Sequence, residues 1–424
     1  MACHSEMLPS LPASQSHQNN GSVTHHHNQT MGVGRLSRTV QRTYIGRRSG
    51  CSQPVFILLL VLSAFVFIFF QMANLIPRKP RWKGCLAPLF AWASSAERDI
   101  AVYVRPDRPT ALLQPTKLCE DPPFVIIMIP SAVNHSLERD IIRRTWGQWA
   151  GSDLSLVLAS DTQPPQRNNK TTKKHLNVLT AHAPPPRKAK MVFLLGRTAG
   201  DNPISSSVIE ESRRFGDVLV EDFVDSYTNL TLKTVFMLKW VQQHCPKAQY
   251  VMKVDDDIFL NVPNLQYSLL NKTATTSYLA GTLICGARPI HNQWSKWYTP
   301  RYMFREGKYP NYLSGTGYVM SGDLVKPLLD TAVSTPYFHL EDVFLTGICA
   351  KKIGVRPSDN IGFSYQPRGN SPCVFKEVIM GHEVVPLEMA RLWNMLNQPS
   401  ILAKCNPLKK SQIRSYFPTK CSWS

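Results

Sequence analysis

Tyr250-Val251-Met252-Lys253-Val254-Asp255-Asp256-Asp257-Ile258-Phe259-Leu260 is the stretch on which the reading of this chain turns. An apolar run with β-branched residues stops at three consecutive aspartates, and apolar residues resume at once. The pattern predicts a buried strand that ends in a carboxylate cluster. The C-terminal edge of an open α/β sheet is where ligands bind. Asp-x-Asp spacing lets Asp255 and Asp257 face one site, where they repel each other unless a cation lies between them. Hard oxygen ligands of this kind suit Mg²⁺ or Mn²⁺ that also bridges substrate phosphates. A lone run of aspartates is more often a solvated acidic turn, but apolar flanks on both sides argue against that here. No glycine or closing glutamate of a calcium-binding loop follows.

Upstream, Phe124–Ile129 (FVIIMI), Met191–Leu195 and Asp217–Glu221 are further candidate strands. Candidate helices at Glu138–Gly147, Ser205–Phe215 and Asn229–His244 separate them. In the last helix Leu232, Val235, Phe236 and Trp240 share one face, and Cys245-Pro246 stops it. Strands alternating with helices predict a mainly parallel sheet covered on both faces, an α/β fold. Arg143 and Arg144 close the first helix, either as an ordinary solvated pair or as a contact to a nucleotide. Residues 150–190, with Pro164-Pro165 and Pro184-Pro185-Pro186, read as a surface insertion.

Downstream, Tyr278–Ile284 is another candidate strand. Trp294, Trp297 and Tyr298 crowd a polar loop, suited to stacking on sugar rings or equally to burial. Ser314-Gly315-Thr316-Gly317 reads as a turn into a short strand, its glycines permitting close backbone approach. Glu341 and Asp342 precede an apolar helix at Phe344–Ala350, where capping is the ordinary role of carboxylates.

The N-terminal part is organised differently. Residues 1–54 are polar and His-, Ser- and Asn-rich, a disordered tail. Val55–Ile76 carries no charge, and about 20 apolar residues span a bilayer, so a transmembrane signal-anchor helix is predicted. Residues 77–120 read as a stem, with 121–424 as the catalytic domain. The basic flanks of the span are nearly balanced. Ten cysteines without a CxxC pair and sequons at Asn134, Asn169, Asn229 and Asn271 favour disulfides, glycosylation and a lumenal C-terminal part. The net charge of +19 is dispersed and comes with no nucleic-acid-binding motif, so no nucleic-acid partner is expected.

Five words carry a resemblance: RRTWG (Arg143–Gly147), VEDFVDSYTNLTLKT (Val220–Thr234), KVDDDIF (Lys253–Phe259), YLSGTGYVMSGDL (Tyr312–Leu324) and EDVFLTGIC (Glu341–Cys349). In order and spacing they resemble the Golgi β-1,3-glycosyltransferase family, over Phe124 to Ser400. The resemblance implies a GT-A-type fold, a nucleotide-sugar donor, a Mn²⁺ cofactor and inversion at the anomeric carbon. It implies that Asp257 ligates the metal, that Asp255 belongs to the metal site and lies near the ribose, and that His382 is a further ligand. It also implies that Asp342 is the general base, with Glu341 its structural partner. SKWYTP (Ser295–Pro300) and the Leu313–Leu324 word are closer to the galactosyltransferase branch. UDP-galactose is therefore the expected donor and terminal GlcNAc or GalNAc the expected acceptor, in a Golgi membrane protein of type II topology. UDP-GlcNAc is the alternative donor. A membrane-anchored sugar-binding protein is the non-enzyme alternative, against which the intact Asp255, Asp257 and Asp342 speak. Two departures stand out: the 150–190 insertion is long, and Leu313 occupies a place where many members carry cysteine. Cys285 has no recognised counterpart, so the disulfide pairing stays open.

Overall fold

The computed structural model describes residues 97–151, 188–198, 204–272, 276–369, 371–414 and 421. Of the two units into which the chain divides, Met1–Trp82 and Lys83–Ser424, the described residues all belong to the second. The expected tail and membrane span, and most of the 150–190 insertion, lie outside the described residues. Among those described, no helix is long and apolar enough to cross a membrane.

The two continuous apolar runs form the centre of the sheet. Strands β2 (Val125–Pro130) and β5 (Tyr250–Val254) are buried at every position and pair in parallel, Val125 beside Tyr250 and Met128 beside Lys253. Side chains alternate between two cores, as the two-residue period of a strand requires. Ile126, Met128 and Val251 face one core, and Val125, Ile127, Tyr250 and Met252 face the other. Strands β3 (Ala189–Arg197) and β4 (Val218–Val224) extend the parallel sheet beyond β2. The chain then returns to add β5 on the other side of β2, so the winding direction reverses between β2 and β5. Such a switch point opens a crevice at the strands' C-terminal ends. Here that is where Asp255, Asp256 and Asp257 emerge.

Beyond β5 the sheet becomes antiparallel. Strand β8 (Tyr312–Ser321) pairs with β5 and with β7 (Leu279–Ile284). The predicted turn at Ser314–Gly317 is thus the first half of a ten-residue strand. Its glycines serve close approach: a Cβ on Gly317 would lie 2.8 Å from Met380 Sδ, and one on Gly315 would lie 3.3 Å from Asp342 Cβ.

The helix Leu230–His244 is buried nearly all round, including two lysines. Lys239 Nζ donates to the carbonyls of Val104, Arg105 and Arg108 and to Thr110 Oγ1. This clamp corrects the boundary drawn from sequence. From Glu97 on, residues assigned to a stem belong to the folded body: Ile100 and Val104 enter the core, and β1 (Ala111–Leu113) pairs antiparallel with β4. Cys119–Cys245 ties the same region to the end of the long helix. Two further disulfides are Cys285–Cys421 and Cys373–Cys405. Cys349 is free and fully buried, and burial pushes its thiol up to about 12. It shares a core with Leu313.

Candidate active site

After Asp257 the chain forms β6 (Phe259–Leu260), which pairs with β9 (Met380–Gly381). This short ladder sets the position of the next residue, His382, and Val384 N donates to the Asp257 carbonyl at 2.9 Å. His382 Nε2 consequently stands 3.4 Å from Asp257 Oδ2. Asp257 Oδ1 is buried without a hydrogen-bond partner. Burial alone would lower the His382 pKa, but its contact with Asp257 outweighs that and raises it. The other two aspartates are engaged differently. Asp256 Oδ2 meets His135 Nδ1 at 2.8 Å, and Asp255 Oδ1 accepts from Lys253 Nζ at 2.5 Å.

Lys253 is the link between this cluster and the second carboxylate pair. Only 5% exposed, it also donates to the Gly315 carbonyl and stands 3.9 Å from Glu341 Oε2. Glu341 Oε1 accepts from the buried Tyr318 hydroxyl at 2.6 Å. Burial pushes the Glu341 carboxyl up to about 7 against the pull of Lys253. Asp342, next to it at the start of the following helix, is oriented differently. Its Oδ1 accepts from Val343 N at 2.8 Å and its Oδ2 from Gly315 N at 3.3 Å. Burial still raises its pKa, with those N–H groups opposing. The predicted helix after it is a π-helix, Val343–Cys349, held by Thr346 Oγ1 donating to the Asp342 carbonyl. Wide turns of this kind recur at functional sites.

Asp342 lines a cavity of about 310 Å³ together with Tyr227, Trp297, Tyr309, His339 and Arg288. Trp297 is half exposed at its rim. Trp294, 74% exposed, is not part of the wall.

Whether a divalent cation fits can be judged from the donors present. Among the described residues no three His, Cys, Asp or Glu side chains converge as a ready-made cage. Asp257 and His382 form a two-donor half-site with one carboxylate oxygen unpaired, while Asp255 is held by Lys253. Carboxylate plus imidazole suits Mn²⁺ when substrate phosphates complete the coordination.

Comparisons with known proteins bear on the family. The family described as Galactosyltransferase matches residues 137–360. Mouse and human β-1,3-galactosyltransferase 1 are each 38% identical over 283 residues, 66% of this chain and 76% of theirs. Gorilla β-1,3-galactosyltransferase 5 is 32% identical over 342 residues, 80% of this chain and 97% of its own. The chain belongs to the β-1,3-galactosyltransferase family. Its fold is α/β, and it is an enzyme of galactosyl transfer. Among solved structures, the WbbM bifunctional glycosyltransferase aligns with TM-score 0.31 at 11% identity over 67% of this chain and 51% of that one, too distant to add to the argument.

Two positions expected to touch the donor in this galactosyltransferase lie elsewhere. Arg143 donates to both oxygens of Asp217 and to Glu211, all at 2.8 Å, and stacks on Phe193 and Phe215. Arg144 pairs with Asp140 at the surface. The helix Ser136–Arg144 begins near Asp256, through His135, so its far end and these arginines sit at the opposite edge of the sheet. Their expected nucleotide contact is replaced by a packing role for Arg143 and a solvated pair for Arg144. Arg139, fully buried on Glu211 and the carbonyls of Ala132 and Val133, completes that packing network.

Sequence reasoning missed Lys253, His135 and Tyr318. A lysine inside the buried run YVMKV was a visible signal for the first. The other two depend on contacts that no local pattern encodes. Of the sequons, Asn134 and Asn271 are exposed, Asn229 Nδ2 is bonded to the Val224 carbonyl at 2.8 Å, and Asn169 lies outside the described residues.

Proposed function

We propose that this protein transfers galactose from UDP-galactose to the 3-hydroxyl of a terminal GlcNAc or GalNAc, with inversion to a β-linkage. The observation that carries this reading is the juxtaposition of two carboxylate sites through one buried lysine. The Asp257–His382 half-site and the cavity lined by Glu341 and Asp342 are joined by Lys253, which contacts both Asp255 and Glu341; in this reading the first takes the donor and the second the acceptor.

In this mechanism Asp342 accepts the proton of the attacking hydroxyl as its oxygen bonds to the anomeric carbon and the bond to the UDP oxygen breaks. Displacement in line inverts the centre, so no covalent enzyme intermediate forms. Asp257 and His382 would hold Mn²⁺, with Asp255 beside them toward the ribose. The cation supplies charge neutralisation on the departing diphosphate. Lys253 fixes the spacing of Asp255 and Glu341, and Glu341, held by Tyr318, supports the turn that aims Asp342. Tyr227 and Trp297 offer ring faces to the acceptor sugar. The uncharged run Val55–Ile76 would anchor this domain to the Golgi membrane, facing the lumen.

The test is full-length protein in detergent, offered UDP-galactose, UDP-GlcNAc, UDP-GalNAc or UDP-glucuronate with Mn²⁺ and simple GlcNAc or GalNAc acceptors. Galactose transfer that stops in excess chelator and returns with Mn²⁺ is expected. Preference for UDP-GlcNAc, or undiminished turnover in chelator, would overturn the reading.

A further inference from the structure

A second cavity, of about 540 Å³, lies against the acceptor cavity and shares Tyr309 with it as a common wall. The loop between β7 and β8 forms one side of it, and the π-helix and the segment after that helix form the other. Its lining is polar and basic: Lys308, Lys351 and Arg356 against a single acid, Glu306. Lys308 and Lys351 make no side-chain hydrogen bond or ion pair among the described residues. The four glycines Gly286, Gly307, Gly347 and Gly354 keep the wall free of further side chains. The loop as a whole is strongly one-signed. Between Cys285 and Asn311 it carries Arg288, Lys296, Arg301, Arg305 and Lys308 against Glu306 alone. Arg288 continues the positive lining into the cavity of Asp342.

Lys308 and Lys351, both exposed and without ion-pair partners among the described residues, stand beside a polar cavity and are suited to an anion. The donor diphosphate is not that anion, because none of Asp255, Asp257 or His382 lines either cavity. With the terminal acceptor sugar placed at Asp342 by the proposed function, the remainder of the acceptor would extend past Tyr309 toward this cavity. We propose that the cavity is a subsite for an acidic unit of the acceptor glycan (a uronate, a sialate or a sulfated sugar) one or two residues from the hydroxyl that receives galactose. This rests on the placement of the acceptor at Asp342 in the proposed function. It also gives the basic loop a purpose that galactosyl transfer to a neutral sugar does not.

The experiment compares GlcNAc-terminated trisaccharides that are neutral or that bear a uronate, a sialate or a sulfate ester, using the full-length protein at low salt. The acidic form that fits should show a KM lower than the neutral one by about three- to tenfold, the scale of one or two partly exposed charge contacts, with kcat unchanged. The advantage should shrink as salt is added. Lys308→Glu and Lys351→Glu should each reduce it and leave the KM for the neutral acceptor unchanged. Binding of the acidic trisaccharides without donor or metal is measured by titration in parallel. Charge-selective binding that the two variants weaken, in the absence of any transfer from UDP-galactose, would sustain the subsite and reject the transfer reading. Transfer with equal KM for the neutral and all acidic acceptors would reject the subsite and leave the transfer reading standing. Variants that raise KM equally for neutral and acidic acceptors would also reject it.

Discussion

Replacing Lys253 with methionine keeps the length of the side chain and removes the one cation between Asp255 and Glu341. Removing one partner of a buried ion pair destabilises by about 3–5 kcal/mol, because the other charge is left uncompensated. Asp255 is 36% exposed at its side chain and can rehydrate, so the lower end, about 3 kcal/mol at neutral pH, is expected. The deficit should depend on pH with a definite sign. Burial raises the Glu341 carboxyl from 4.5 to about 7 in the fold. A raised carboxyl favours the folded state fully below its unfolded value, and that contribution declines as pH rises to the folded value. Lys253 opposes the rise, so Lys253→Met moves the folded value higher and extends the decline. Urea unfolding of both proteins at pH 5 and pH 8 should therefore show a larger loss at pH 8, where the folded chain must either ionise Glu341 beside no cation or hold a proton that the unfolded chain has released. A deficit equal at the two pH values, or larger at pH 5, would refute the claim that Lys253 holds this pair.

Three further outcomes follow from the same contacts. Arg143→Ala should destabilise by about 3 kcal/mol, since it strands Asp217 and leaves Glu211 to Arg139 alone, while KM for UDP-galactose stays unchanged; a raised donor KM in a fully stable variant would restore the nucleotide contact. His382→Ala should raise the Mn²⁺ concentration for half-maximal activity by about 10–100-fold, as even groups behind a metal ligand matter this much, and an unchanged metal titration would remove His382 from the site. Cys285→Ser with Cys421→Ser should cost about 5 kcal/mol, the entropy of a loop closed across 136 residues; a loss below about 1 kcal/mol in the same unfolding assay would show that this pair is not formed.

Much of the centre of the fold was legible because buried parallel strands and a long buried helix leave strong local signals. FVIIMI, YVMKV and the apolar face of Leu230–His244 each declared their element. Strand β8 was not legible, because Gly315 and Gly317 read as a turn until the neighbours that require them, Asp342 and Met380, are in place. Residues 97–120 hide their role for a related reason: their elements are short, and what fixes them is Lys239 from the distant helix. The same limit applies at the site. A pair of arginines at a helix end looks alike whether it meets a ligand or Asp217, 74 residues on. The Asp-x-Asp spacing placed a carboxylate cluster at the sheet edge, but that Asp255 turns to Lys253 and Asp257 to His382 is a matter of tertiary contact.

The central claim divides the labour between two adjacent carboxylates, and one comparison tests it most directly. Turnover of UDP-galactose and acceptor is measured for Asp342→Asn and Glu341→Gln, alongside UDP binding by each variant. Asp342→Asn should lose about 10²–10⁴-fold in kcat, the scale of general base catalysis, with UDP binding intact. Glu341→Gln retains the hydrogen bond from Tyr318 and should keep most of its activity. Full turnover by Asp342→Asn, or inactive Glu341→Gln beside active Asp342→Asn, would contradict the assignment of Asp342 as the base.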